Sequence, residues 1–175
     1  MRRTPSSPEA PLPAPPFREA ASRHTAFRED PAAARPLRDA ARACDALGLQ
    51  RGDRLLLAVS GGADSLALAA LLARLAPARG WELRALSVNH SLRAEAAADA
   101  AHAADICQRL GIPCRVVTVD VPGLRQRGEG MEEAARRLRY AALEEERQRR
   151  RANWIALGHH AGDAAEDMLL RLLRG

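Results

Sequence analysis

The chain has 175 residues, 47% of them hydrophobic but only 3% aromatic, which fits one α/β domain with a tail and a core of Leu, Ala and Val rather than rings. All 27 basic residues are arginine, and the lack of lysine excludes a Walker A loop, a kinase-type phosphate lysine, a pyridoxal Schiff base and a Ser-Lys dyad together. The net charge of +5 is modest, no apolar run approaches the ~20 residues of a membrane span, and three cysteines without zinc-ligand or CxxC spacing point to a reducing, cytoplasmic compartment. Eight of the eleven prolines fall in the first 36 residues, so residues 1–36 are predicted to be a disordered Pro/Ala/Arg-rich tail. The folded domain is expected over residues 37–175. Its predicted elements are a helix over 37–47 closed by Gly48, a strand over 54–59, a glycine turn, and a helix to about Ala76 ended by Pro77 and Gly80. Next come a strand over 83–88, a helix over 94–110, a strand over 115–119 and a loop with Pro122 and three glycines. A helix over 132–150, a strand over 154–157 and a helix over 163–174 complete the chain. Strands alternating with helices imply a doubly wound parallel sheet covered on both faces. In such sheets ligands bind at the carboxyl ends of the strands.

The segment Ser60-Gly61-Gly62-Ala63-Asp64-Ser65, directly after the first strand, is the sharpest local signal. Its two glycines allow positive φ and close approach of a ligand, and its amides together with the next helix N-terminus form an anion nest. Phosphate fits such a nest without lysine. Ser60 and Ser65 can donate hydroxyls, whereas Asp64 has the wrong charge to touch phosphate and most simply holds a bridging Mg²⁺. The competing reading is a tight turn in which Asp64 or Ser65 caps the helix. His90 and Arg93 stand just past the second strand, where they can meet a nucleotide. On the fourth helix Glu132, Arg136 and Tyr140 recur every four residues, opposite a stripe of Met131, Ala134, Ala135, Leu138 and Ala142. His160, Asp163 and Glu166 bracket a helix start, a placement that suits metal or amine chemistry but equally complements a helix dipole. Residues 125–151 hold nine Arg against six Glu, which fits either a polyanion partner or a solvated helix with Glu–Arg pairs.

Ala58-Val59-Ser60-Gly61-Gly62-Ala63-Asp64-Ser65 resembles the SGGxDS pyrophosphate-binding loop of the PP-loop ATPases, which cleave ATP to AMP and pyrophosphate. Three further blocks resemble the tRNA(Ile)-lysidine synthetase family in the same order. These are Val88-Asn89-His90-Ser91-Leu92-Arg93, the helix Glu132-Glu133-Ala134-Ala135-Arg136-Arg137-Leu138-Arg139-Tyr140, and Leu157-Gly158-His159-His160-Ala161-Gly162-Asp163-Ala164-Ala165-Glu166. The resemblance spans residues 37–175 and implies a Rossmann-like adenine nucleotide alpha hydrolase fold, ATP and Mg²⁺. It implies two steps on an isoleucine tRNA with a CAU anticodon: adenylation of the wobble cytidine, then displacement of AMP by lysine. Residues 60–65, His90 and Arg93 are then expected to bind ATP, and Arg136 to support the intermediate. Glu132, Arg136 and His160 are expected to contact substrate, and Asp64, Asp163 and Glu166 to serve metal and lysine. A homodimer is compatible with this reading. The sequence departs from the family at Gly162, Ala164 and Asp167, and the chain ends where the family's catalytic domain is expected to continue. Two rivals stand beside it: a tRNA thiolase-like enzyme, which calls for paired cysteines, and a non-catalytic paralogue binding RNA through residues 147–151.

Overall fold

The computed structural model describes residues 34–91, 96–160, 168–170 and 173–174. Residues 1–33 of the predicted tail, together with Arg93, Asp163 and Glu166, lie outside them, whereas residues 34–36 of that tail are helical. The first helix, α1 (Ala34–Ala46), begins three residues earlier than the sequence pattern suggests. It ends as expected at Gly48, whose φ of +81° lets the Leu49 amide turn back and donate to the Cys44 carbonyl. The strand β1 (Arg54–Ala58) follows, with Leu55, Leu56 and Leu57 at most 1% exposed. The helix α2 (Ala63–Arg79) runs through Pro77 and stops only at Gly80, at φ +67°. A proline in the last turn forfeits a single N–H bond, so the left-handed glycine and not the proline sets the end.

The elements β2 (Glu82–Asn89), α3 (Ala96–Arg109), β3 (Cys114–Thr118) and α5 (Met131–Arg150) match the predicted order. The predicted glycine loop contains one helical turn, α4 (Val121–Leu124), where Asp120 accepts the Gly123 amide at 3.0 Å and Pro122 presets φ. The last long strand, β4 (Trp154–His160), extends three residues beyond the expected Leu157. The predicted helix over 163–174 is replaced, where the structure describes it, by β5 (Met168–Leu170) and β6 (Leu173–Arg174), both antiparallel to β4. So short a leucine-rich segment, Leu169-Leu170-Arg171-Leu172-Leu173, does not separate strand from helix by periodicity, and the pairing of β5 and β6 covers the otherwise open edge of β4.

The sheet order is β3-β2-β1-β4-β5, and β3, β2, β1 and β4 are mutually parallel. On one face α1, α2 and α3 enclose Leu55, Leu57, Val59 and Ala85. On the other, Leu143 of α5 closes over Leu56, Leu86, Ile155 and Leu157. The sheet is therefore doubly wound, as predicted, and its strand order reverses between β1 and β4. That reversal opens a crevice at the carboxyl ends of these two strands. The amino ends are tied shut: Asp53 accepts the Trp154 indole N–H and the Gln50 amide at 2.8 Å each, while Trp81 donates to the Gln50 carbonyl at 3.0 Å. Fixing that end leaves the opposite edge of the sheet to carry chemistry.

Of the predicted α5 stripe, Ala134 and Ala135 are buried and Leu138 and Ala142 half-buried, while Met131 is exposed; the inner face also takes in Leu143, Glu146 and, half-buried at the pocket, Arg139. Glu146 is 4% exposed, and it gathers Arg150 and Arg115 at 2.8 and 2.6 Å, with Arg149 at 3.8 Å. Arg147 is held by Glu144 through two 2.8 Å bonds. Arg147, Arg149 and Arg150 thus each have a carboxylate partner within the fold, which favours the Glu–Arg pairing reading over an open polyanion patch.

Candidate nucleotide site at the switch point

Residues 60–65 form the turn between β1 and α2, at the crevice. Gly61 has φ +80°, and a Cβ there would lie 2.9 Å from the Asp99 carbonyl oxygen, so the turn needs glycine both for its conformation and for the first turn of α3 pressed against it. Gly62 is the helix N-cap, and neither Asp64 nor Ser65 caps α2 through its side chain. The first intrahelical bond runs from the Leu66 amide to the Gly62 carbonyl, so amides of the opening turn face out of the helix end, where an anion is favoured.

The two serines divide the work. Ser65 is 4% exposed; its hydroxyl accepts the Ser60 amide at 3.2 Å and donates to the Gly62 carbonyl at 2.9 Å. It thereby closes the turn, and its proton is committed. Ser60 is exposed, with Oγ 3.3 Å from that of Ser65, and it can swing its proton toward a ligand. Replacing Ser65 by alanine is expected to lower stability by about 1–3 kcal/mol, since the Ser60 amide and Gly62 carbonyl lose their partner. Thermal unfolding together with ATP affinity would check it, both falling in the same variant.

Gly158 on β4 seats this turn from the other side. A Cβ on Gly158 would stand 2.9 Å from Ser65 Cα and 3.0 Å from Ser65 N. Between the turn, β2, β4 and α5 lies a pocket with apolar walls from Val59, Leu86, Val88, Leu143 and Leu157 and polar groups from Ser60, Ser65 and Arg139. An apolar cleft with a few convergent polar groups is the usual form of a small-molecule site.

Arg139 is the functional candidate that the sequence reading missed. Arg136, its predicted counterpart, is exposed and stacks over Tyr140 with the guanidinium carbon 5.8 Å from the ring centroid. Glu132 is also exposed, one turn earlier. Arg139 instead lies on the buried stripe, four residues after Ala135 and four before Leu143, and its Nε donates to His90 Nε2 at 3.2 Å. A charged residue at an apolar position of the helical period was the available signal. Burial, aided by the charge of Arg136, lowers the Arg139 pKa, and burial ahead of the charge of Arg139 lowers that of His90.

Asp64 stands half-buried in the first turn of α2. Among the described residues no group of three His, Cys, Asp or Glu side chains is placed to hold a metal ion. One carboxylate beside a phosphate nest does fit Mg²⁺, which typically takes one or two protein carboxylates and completes its shell with phosphate oxygens and water. His160 ends β4, its backbone paired with Met168. The thiols lie elsewhere: Cys107 is fully buried in α3, and Cys114 sits on the β3 edge at the level of Leu57, two strands across and three residues short of the turn. Contact with Cys114 and burial keep the Cys107 thiol protonated. No helix among the described residues is long and apolar enough to cross a membrane.

Residues 33–175 match the PP-loop domain family. The chain belongs to that family. It is 46% identical over 126 residues to a tRNA(Ile)-lysidine synthase of Nitratidesulfovibrio vulgaris, an alignment covering 71% of this chain and 36% of the relative. A second tRNA(Ile)-lysidine synthase, from Symbiobacterium thermophilum, is 44% identical over 73% of this chain and 27% of its own length. The PP-loop chain thus spans about a third of the curated relatives it matches. Among solved structures, the U34-tRNA thiolase NcsA from Methanococcus maripaludis superposes with a TM-score of 0.62 at 22% identity, covering 71% of this chain and 45% of that one. The likeness shows the shared fold.

Proposed function

We propose that this PP-loop chain is the adenylating part of a tRNA(Ile)-lysidine synthase. The observation that carries the reading is the anion-binding turn at the switch point, opening onto a pocket that also holds Arg139. The curated relatives at 46% and 44% identity support the choice of reaction. ATP enters with its β and γ phosphates on the amides of residues 60–65, leaving the α phosphorus exposed. The carbonyl oxygen of the wobble cytidine in a CAU-anticodon isoleucine tRNA attacks that phosphorus, and pyrophosphate leaves. The side-chain amine of lysine then attacks the activated base carbon, and AMP leaves as the lysidine C–N bond forms. Asp64 would hold Mg²⁺, which when bound supplies charge neutralisation on the phosphates. Asp163, with Glu166, serves the lysine amine, which must lose protons before and after attack. Arg93 helps bind ATP; Glu132, Arg136 and His160 contact substrate, and Arg136 supports the adenylated intermediate. The site works in a reducing cytoplasm, consistent with three free thiols.

The placement of Cys107 and Cys114 away from the turn speaks against a thiolase reading, which needs a sulfur carrier at the activated base. The test is transfer of labelled lysine to a CAU-anticodon isoleucine tRNA transcript with ATP and Mg²⁺, with AMP monitored in parallel. Lysine-dependent label in tRNA is expected; AMP formation without lysine transfer would point to another acceptor. Asp64→Ala and Asp163→Ala are each expected to reduce turnover by about 10²-fold or more with the fold retained, and full turnover by either variant would remove its assigned role.

A further inference from the structure

Arg139 is a half-buried cation with an unusual partner. It lines the pocket beside Ser60 and Ser65, and among the described residues its hydrogen bond goes to the His90 imidazole and to no carboxylate. Buried charges ordinarily sit against counter-charges, because desolvation is costly otherwise. A neutral acceptor leaves that requirement open. It also fixes the imidazole: with Nε2 accepting, the ring proton must sit on Nδ1, which is buried and has no partner among the described residues. The lowered pKa of His90, caused first by burial and then by Arg139 itself, keeps Nε2 free to accept at neutral pH.

We propose that His90 is a positioning residue whose neutral Nε2 holds the Arg139 guanidinium at the pocket, leaving the remaining N–H groups of Arg139 for a phosphate of the bound nucleotide. The role rests on the ATP-dependent reading above. Arginine carries five N–H donors in a planar fork, and anchoring Nε from behind sets the plane in which the terminal nitrogens meet a phosphate. In this arrangement His90 does not touch the nucleotide.

The test uses the 175-residue chain and ATP with Mg²⁺ as the probe, read by equilibrium binding. R139Q and H90A are each expected to weaken ATP binding by about tenfold or more, the loss typical of a charge-assisted hydrogen bond. H90Q, whose amide oxygen can accept from Arg139, is expected to recover most of that loss, and H90A/R139Q to bind no more weakly than R139Q alone. Nitrogen NMR of the ligand-free, unsubstituted chain should find His90 protonated on Nδ1. ATP binding unchanged by H90A, or a double variant losing the product of the two single losses, would overturn the positioning role and leave the ATP-dependent reading standing. A His90 protonated on Nε2 would overturn it without any ligand. Failure of the unsubstituted chain to bind ATP would overturn both.

Discussion

Glu146→Ala is expected to destabilise the fold by about 3 kcal/mol, the largest loss from any single charged side chain of α5. Removing one partner of a buried ion pair typically costs 3–5 kcal/mol, because the remaining charge stays desolvated and unpaired. Glu146 holds three guanidinium groups from two elements, so its loss would leave like charges facing each other where β3 meets α5. The low end of the range applies because the Arg115 side chain is 43% exposed and can regain water, whereas that of Arg150, at 9%, cannot. Chemical denaturation would measure it. Glu133→Ala, an exposed position on the same helix, should stay within about 0.5 kcal/mol. The acid limb gives a second check. Burial alone would raise the Glu146 pKa, but the bonds from Arg150 and Arg115 outweigh it and lower the value. A depressed folded-state pKa means that the contribution is present above the ordinary carboxylate range and disappears as pH falls through the lowered value. The E146A variant should therefore lose less stability than the unsubstituted chain between about pH 5 and the acid limit, and equal acid slopes would count against this assignment.

The same residue shows where reading the sequence stops short. The strand, glycine turn and helix around residues 54–79 are legible because local chemistry decides them: an unbroken apolar run, glycines where positive φ is needed, and an apolar helix closed by Gly80. Arg139 and Glu146 were hidden for the opposite reason. Each is a charged residue on the inner stripe of a helix whose composition is dominated by charge, and their partners, His90 just past β2 and Arg115 on β3, are distant in sequence. Helical periodicity places Arg136 and Arg139 on adjoining sectors, and only packing against β2 decides which one turns inward. Residues 168–174 differ for another reason: seven leucine-rich residues with two arginines are too few to separate strand from helix by period, and the open edge of β4 decides the outcome. The roles given to Arg93, Asp163 and Glu166 fall outside the described residues and rest on the motif resemblance.

Gly158→Ala is expected to damage nucleotide binding strongly although Gly158 lies outside the turn itself. The added Cβ would meet Ser65 Cα at 2.9 Å and the Ser65 and Asp64 backbone at 3.0–3.1 Å. Those atoms belong to a helix turn, not to a flexible side-chain end, so either β4 or the start of α2 must shift. Overpacking of this kind typically costs about 1–3 kcal/mol in stability. The functional cost should be larger in proportion, since the displaced atoms carry both the outward-facing amides proposed to bind phosphate and the Ser65 hydroxyl that closes the turn. A misplacement of about 1 Å in a catalytic constellation can cost roughly 10²-fold in rate. Measured on one preparation, ATP affinity and AMP formation should both fall while thermal unfolding remains cooperative. Gly130→Ala is the matched control. Gly130 has an ordinary φ of −69° as the N-cap of α5 and nothing within 4 Å of its added Cβ, so its cost should stay near about 1 kcal/mol at most, with ATP affinity unchanged. Equal ATP affinities for G158A and G130A would mean that the turn tolerates the shift, and that the contact between β4 and α2 serves packing alone.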